Sequence, residues 1–226
     1  MSRHLIFLHG ALGCNSHWER FLPAFENSFT IHNLNFPGHG NSDITLDTYS
    51  LQALSDTVQQ YIQSNNIQAY AIIGYSLGGY VGLQMLADKV QGLTTLITLA
   101  TKLNWNQAIA DEECSKVTLE NLAPIHEKLR TEHHQHFDTI VATTRDIMQS
   151  IGKHPLSTSD FSDNTIPVHM LLGSKDKMVT VAETLAFAEK CPSFSTSIIE
   201  EQPHSLERMN ADAVGAACNE FLIRAI

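Results

Sequence analysis

The run Gly74-Tyr75-Ser76-Leu77-Gly78 constrains the fold of this chain more than any other segment. It fits the pattern G-x-S-x-G, in which a serine occupies a sharp turn between a strand and a helix. Residues 69–73 are apolar and predict a buried strand before the turn, and residues 77–89 predict a helix after it. Such a turn strains the serine backbone by roughly 1–3 kcal/mol. The motif therefore predicts a strand-turn-helix unit that exposes a hydroxyl at the end of a strand.

Short apolar runs alternate with helical patterns along most of the chain. The predicted strands cover residues 4–8, 30–34, 69–73, 93–99, 168–172 and 195–199. The predicted helices cover residues 16–25, 50–64, 77–89, 180–190 and 205–225. This alternation predicts an α/β fold in which helices cover both faces of a parallel sheet. Ligands of such sheets bind beyond the carboxyl ends of the strands, where Ser76 is expected.

The segment 101–165 breaks this alternation, because it contains several helical stretches and no good strand. A connection of roughly 65 residues is longer than an ordinary loop. We predict that it is a helical lid insertion within a core formed by residues 1–100 and 166–226. Its cluster His133, His134 and His136 is expected to lie on a solvated helix face, since a metal site needs convergent ligands. The acidic runs 111–113 and 200–201 are also expected to face solvent.

Composition narrows the class of function. The chain has 226 residues, 43% hydrophobic and 17% charged, which is typical of a globular protein. Its net charge of −10 argues against nucleic acid and anionic membranes as partners. No dinucleotide fingerprint or phosphate-binding loop is present, so we expect neither a cofactor nor a metal. The oligomeric state cannot be inferred from the sequence.

The cysteines and the N-terminal residues indicate in which cellular compartment the protein is expected. The four cysteines show no metal-binding or C-x-x-C spacing and predict free thiols: Cys14, Cys114, Cys191 and Cys218. Free thiols indicate a reducing compartment, so a cytoplasmic location is expected. The apolar run 5–8 is too short for a signal peptide, and no stretch approaches the roughly 20 apolar residues of a membrane span. We therefore expect no membrane insertion.

A serine at this turn suggests nucleophilic catalysis, which requires a base and a group that orients the base. On this kind of fold the acid and then the histidine follow the serine along the chain. Asp176 comes directly after a predicted strand and is the preferred acid, whereas Asp160 and Asp163 precede that strand. His204 is the one histidine after Asp176 and is the predicted base.

A developing oxyanion requires preorganised donors, each typically worth ~2.7–4 kcal/mol. The backbone N–H of Leu77 is one predicted donor, and the N–H of Ala11, in the loop after the first strand, is the other. His9 lies in the same loop but precedes the serine. We expect it to hold the loop in shape through hydrogen bonds.

Together these residues resemble the α/β-hydrolase superfamily over nearly the whole chain. The resemblance rests on the His-Gly loop at 9–10, the stretch 36–42, the turn around Ser76, the motif Gly173-x-x-Asp176-x-x-Val179, and His204. It is strongest to small bacterial esterases with short helical lids, a group that includes pimeloyl-acyl-carrier-protein methyl ester carboxylesterases and a menaquinone-pathway lyase. The resemblance implies an α/β-hydrolase fold and a carboxylesterase-like serine hydrolase.

The chain also departs from that family in several places. It starts directly at the strand before the His-Gly loop, so the resemblance implies a six-stranded, wholly parallel sheet without the family's antiparallel strand. Asn35, directly before the stretch 36–42, stands where the family usually has an acidic residue, and Pro203 precedes the predicted base where glycine is common. The lyase subgroup carries an arginine four residues past the serine, where this chain has Tyr80.

An apolar pocket beside the predicted triad would suit an acyl or alkyl chain. We expect Leu12, Trp18, Leu77, Trp105 and Met178 to lie near it, with packing on the sheet as the alternative for Trp18 and core packing as the alternative for Trp105. The leading hypothesis is a hydrolase that cleaves a small-molecule carboxylic ester or thioester through an acyl-enzyme. The alternatives are a cofactor-free lyase or acyltransferase with the same triad, and a protein that senses a ligand in a hydrolase-type pocket.

Overall fold

A computed structural model of the chain describes residues 3–42, 47–134 and 137–225. Its sheet has six strands in the order β2-β1-β3-β4-β5-β6, and every neighbouring pair is parallel. The strands are β1 His4–Leu8, β2 Thr30–Leu34, β3 Tyr70–Tyr75, β4 Leu93–Leu99, β5 Val168–Gly173 and β6 Phe194–Ile199. The predicted α/β fold with an all-parallel sheet of six strands is therefore confirmed.

Seven α-helices accompany the sheet in the described part of the chain. They are α1 Leu51–Ser64, α2 Leu77–Ala87, α3 Gln107–Lys116, α4 His126–His133, α5 Phe137–Lys153, α6 Val181–Ala188 and α7 Ala211–Ala225. None of the helices described in this chain has the length and apolarity that crossing a bilayer requires.

The side chains of each strand point alternately to the two faces of the sheet, and this divides the core into two layers. In β1, Ile6 and Leu8 face the layer that contains α1 and α2, whereas Leu5 and Phe7 face the layer that contains α7. Both layers are buried because successive side chains of a strand point to opposite faces of the sheet. The sheet thus places the carboxyl ends of all its strands along one edge, where the candidate site lies.

Two predicted helices have a different form. Residues 16–25 form two short 3-10 segments, Asn15–Trp18 and Leu22–Ala24, rather than one helix. Pro23 lacks the N–H that an α-helix would use at that position, so a continuous helix is disfavoured. The last helix begins at Ala211 and not at residue 205, because Asn210 caps it by accepting a hydrogen bond from the Ala213 N–H (3.0 Å).

Residues 101–165 connect β4 to β5 with helices α3, α4 and α5 and with no strand among their described residues. The side chains of Ile147 and Ile151 on α5 join the core layer formed by α1 and α2. Leu129, Phe137 and Val141 form a separate small apolar cluster. The function of this segment as a lid remains a prediction.

Candidate active site

Ser76 lies in a strained turn between β3 and α2. Its backbone has φ 50° and ψ −113°, in the positive-φ region that residues with a side chain rarely adopt. The Ser76 N–H donates to Leu99 O (2.8 Å), and its carbonyl oxygen accepts from the Thr101 hydroxyl (3.1 Å). These bonds to β4 and to the residues just after it hold the strained backbone in place.

Two positions of the motif require glycine because neighbouring backbone atoms lie too close to leave room for a Cβ. A Cβ on Gly74 would lie 2.4 Å from Gly78 O, and a Cβ on Gly78 would lie 2.3 Å from Leu8 O. Both contacts are with backbone atoms, which cannot rotate away. The strand, the turn and the helix therefore pack as closely as the sequence motif predicts.

His204 and Asp176 form a hydrogen-bonded pair at the same edge of the sheet. Asp176 Oδ2 lies 2.8 Å from His204 Nδ1, and the Asp176 side chain is fully buried. Because a carboxylate oxygen only accepts, Nδ1 carries the proton, and in the neutral imidazole Nε2 then has a free lone pair. Asp176 Oδ1 in turn accepts from the N–H groups of Met178 (2.7 Å) and Val179 (2.9 Å). The carboxylate is thus fixed by the loop that follows β5.

The structure brings the three predicted catalytic side chains to one place. Ser76 and His204 line the same cavity, and Asp176 stands behind His204. The rival acids lie elsewhere: Asp163 pairs with Lys89 at 2.6 Å on the surface, and Asp160 accepts from the Ser157 N–H.

The two predicted oxyanion donors also lie at this cavity. Ala11 and Leu77 both line it. Neither backbone N–H donates a hydrogen bond to another described residue. Leu77 is the first residue of α2, where the backbone N–H groups have no partner inside the helix. Both N–H groups are therefore available to a ligand.

Three buried histidines hold the loops beneath the cavity. His9 Nδ1 donates to Gly10 O (2.8 Å), and its Nε2 accepts from the Phe36 N–H (3.1 Å). Burial, and then the neighbouring His39, hold the pKa of His9 well below its ordinary value. Burial likewise lowers the pKa of His39 to about 4. Neutral imidazoles are thus part of the loop structure, in agreement with the expectation for His9.

His133 is the third of these histidines, and its predicted place on a solvated helix face is wrong. It is 0% exposed. Its Nε2 donates to Leu12 O (3.0 Å), and its Nδ1 accepts from the Gly40 N–H (2.9 Å). Burial lowers its pKa. His134 is exposed, and His136 lies outside the described residues.

The cavity has a volume of about 220 Å³ and a mostly apolar wall. Four of the five predicted pocket residues line it: Leu12, Leu77, Trp105 and Met178. The prediction for Trp18 is corrected. Its side chain is 1% exposed and packs edge-on against Phe7 and Phe21 in the core.

The cavity wall includes one ion pair that the sequence did not predict. Glu113 was expected to face solvent, but it is 8% exposed and lines the cavity together with Lys102. Lys102 Nζ lies 3.9 Å from Glu113 Oε1, and Lys116 Nζ lies 3.2 Å from the same oxygen. Among the described residues that line the cavity, Lys102 is the one lysine or arginine. Its charge is balanced by Glu113.

Sequence reasoning missed Tyr75 as a supporting residue. Its hydroxyl donates to the carbonyl oxygen of His204 (3.0 Å), and its ring lies 5.5 Å from the imidazole. Burial raises the pKa of Tyr75, so the hydroxyl stays protonated as a donor. The sequence signal that could have indicated this role is that Tyr75 directly precedes Ser76.

Comparison with known proteins agrees with this architecture. The family model for the alpha/beta hydrolase fold matches residues 3–113. The 2-succinyl-6-hydroxy-2,4-cyclohexadiene-1-carboxylate synthase of Klebsiella pneumoniae is 35% identical over 41% of this chain and 36% of its own length. The pimeloyl-[acyl-carrier protein] methyl ester esterase of Aeromonas hydrophila is 23% identical over 89% of this chain and 88% of its own length.

A solved structure extends the likeness to the whole fold. A thermophilic esterase from Thermogutta terrifontis superimposes with a TM-score of 0.83 at 17% identity, covering 100% of this chain and 90% of the esterase. The matched region of the synthase spans only about a third of that relative's length, so its activity does not carry over with the match. The chain thus has the α/β-hydrolase fold and is similar to esterases with that fold.

Proposed function

We propose that the chain is a serine hydrolase that cleaves a carboxylic ester or thioester through an acyl-enzyme. The observation that carries the proposal is the hydrogen bond from His204 to the buried Asp176, beside the cavity that Ser76 lines. This bond leaves His204 Nε2 free to accept the proton of the Ser76 hydroxyl. Esterases among the similar proteins support the same chemistry.

The proposed reaction has two halves. Ser76 Oγ attacks the carbonyl carbon while His204 takes its proton, and the N–H groups of Ala11 and Leu77 donate to the oxyanion. His204 then gives the proton to the leaving alcohol or thiol, and an acyl-serine forms. In the second half His204 activates water, which releases the acid and restores Ser76.

The cavity suggests a small, largely apolar acyl group. Its wall is mostly apolar, with a cavity volume of about 220 Å³, and a wall with few polar groups suits an acyl or alkyl chain of limited length. Esters with much longer acyl chains are expected to react more slowly.

Ser76→Ala tests this proposal with a panel of p-nitrophenyl esters from acetate to decanoate. We expect turnover to be abolished in the variant and the far-ultraviolet circular dichroism spectrum to be unchanged. Full residual turnover in the variant would refute the proposal.

Lyase chemistry with the same triad is the second candidate, favoured by the match to the synthase. Tyr80 lines the cavity four residues after Ser76, and its oxygen accepts from the Leu156 N–H (2.8 Å). A lyase with an anionic substrate would need a positive charge in the cavity wall. Among the described lining residues Lys102 carries that charge, and Glu113 pairs with it. Assaying the synthase reaction beside the ester panel separates the two candidates.

A further inference from the structure

A cluster of ligating side chains lies next to the cavity, between the loop after β1 and helix α4. Cys14 Sγ, His17 Nε2 and a carboxylate oxygen of Glu132 all lie within 4.8 Å of one another. Glu207 Oε1 lies 3.6 Å from the same His17 nitrogen. We propose that Cys14, His17 and Glu132 bind a divalent transition-metal cation of the zinc type, and that the Glu207 side chain rotates to supply the fourth ligand.

The spacing of the donor atoms suits such a cation. Zinc binds nitrogen and oxygen ligands at about 2.0–2.2 Å in a tetrahedron, which places neighbouring ligand atoms roughly 3.4 Å apart. His17 Nε2 lies 3.1 Å from Glu132 Oε1 and 3.6 Å from Glu207 Oε1. Cys14 Sγ lies within 4.8 Å of the His17 and Glu132 donor atoms, so a shift of about 1 Å brings it to tetrahedral spacing with these two ligands.

The chemistry of the donors selects the metal. Thiolate and imidazole favour zinc, cobalt and related ions, whereas magnesium and calcium prefer oxygen donors alone. Cys14 is 3% exposed and the side chains of His17 and Glu132 are 14% and 16% exposed, whereas the Glu207 side chain, at 43%, forms the open side of the site. Glu132 Oε2 is buried and accepts no hydrogen bond from a described residue.

A side-chain cation already lies in this cluster. Lys128 Nζ contacts Glu207 Oε1 and lies 3.6 Å from Glu132 Oε1. The carboxylates therefore hold positive charge in place, and a metal ion would take over this role. On binding, the Cys14 thiol releases its proton to solvent, a metal–sulfur bond forms, and the Lys128 ammonium swings into water.

The ligands come from three separate parts of the fold. Cys14 and His17 follow β1, Glu132 belongs to α4, and Glu207 lies three residues after His204. A bound cation would thus tie α4 to the core beside a surface depression that His17, His204 and Glu207 line. Binding itself does not depend on the proposed serine chemistry, so the two proposals fail separately.

Titration of the metal-stripped protein with cobalt(II) chloride tests the site. We expect one equivalent to bind and to produce a thiolate-to-cobalt charge-transfer band that zinc(II) chloride abolishes by competition. Cys14→Ser should lose the band, and Glu132→Gln should weaken binding by about tenfold or more. Cys191→Ser removes a buried thiol elsewhere and should retain the band.

Lys128→Met supplies a test in the opposite direction. Removing the competing ammonium should tighten cobalt binding severalfold, and this result is not expected if the cluster is only a structural ion pair. The absence of a charge-transfer band in the wild-type protein would overturn the proposal. A band that persists in Cys14→Ser, or unchanged affinity in Lys128→Met, would overturn it as well. Thermal melting of each variant checks that it is folded.

Discussion

Mild acid should unfold this protein through its buried histidines, and His39 allows the effect to be calculated. Its Nδ1 donates to Pro37 O (3.0 Å), and its buried Nε2 has no hydrogen-bond partner among the described residues. Its ring faces those of His9 and His133 at 5.0 and 5.7 Å, and no carboxylate among the described residues stabilises a proton on it. Burial lowers the pKa of His39 from 6.5 to about 4.

Proton linkage gives the direction in which the free energy of unfolding changes with pH. Above pH 6.5 His39 is neutral in both states, and its full contribution to stability is present. As the pH falls below 6.5, the unfolded chain binds a proton that the folded chain binds only near pH 4. The free energy of unfolding therefore falls, by about 2 kcal/mol at pH 5 and about 3 kcal/mol at pH 4 from this group alone.

His39→Asn isolates that contribution, because the asparagine amide can still donate to Pro37 O but does not titrate. We expect the variant to be less stable at pH 7, since it fills less space. Between pH 7 and pH 5, however, it should lose about 2 kcal/mol less stability than the wild type. Urea unfolding at half-unit pH steps measures this. His154→Asn, a change at an exposed histidine, is the control. Parallel pH profiles for wild type and His39→Asn would refute the reasoning.

Three further predictions concern the site and its support. Asp176→Asn removes the acceptor that orients His204, and kcat for ester hydrolysis should fall about 10³–10⁴-fold. Gly78→Ala places a Cβ 2.3 Å from Leu8 O, and urea unfolding should show a loss of roughly 1–3 kcal/mol. Tyr80→Phe leaves the Leu156 N–H without its acceptor, which should cost about 1–3 kcal/mol in the same measurement.

Each of these predictions has a contradicting result. Asp163→Asn changes a surface acid and should leave kcat unaltered, so an equal loss in both aspartate variants would argue against a specific role for Asp176. Wild-type stability of Gly78→Ala would show that the turn has room for a side chain. An unchanged free energy of unfolding for Tyr80→Phe would show that its hydrogen bond is replaceable, for example by water.

Features encoded in short stretches were predictable from the sequence. The apolar runs placed β1 and β4 at their observed bounds, because a buried parallel strand is a largely apolar segment. The turn around Ser76 was predictable because its geometry demands glycines at fixed spacing. Chain order then singled out His204 among the histidines.

Features that depend on distant contacts were not predictable. His133 is buried because Leu12 and Gly40 supply its hydrogen-bond partners, and Leu12 lies 121 residues away in the chain. Glu113 lines the cavity because Lys102 and Lys116 surround it. Trp18 has the same local spacing whether it faces a pocket or the core, so its sequence pattern could not decide between them.

The most direct test of the proposed mechanism is labelling by a fluorophosphonate, followed by mass spectrometry of the labelled peptide. A serine activated by His204 should react with one equivalent of the reagent, and the adduct should map to Ser76. Ser76→Ala should take up none, and Asp176→Asn should react far more slowly. An unlabelled wild-type protein, or an adduct on a different residue, would contradict the account.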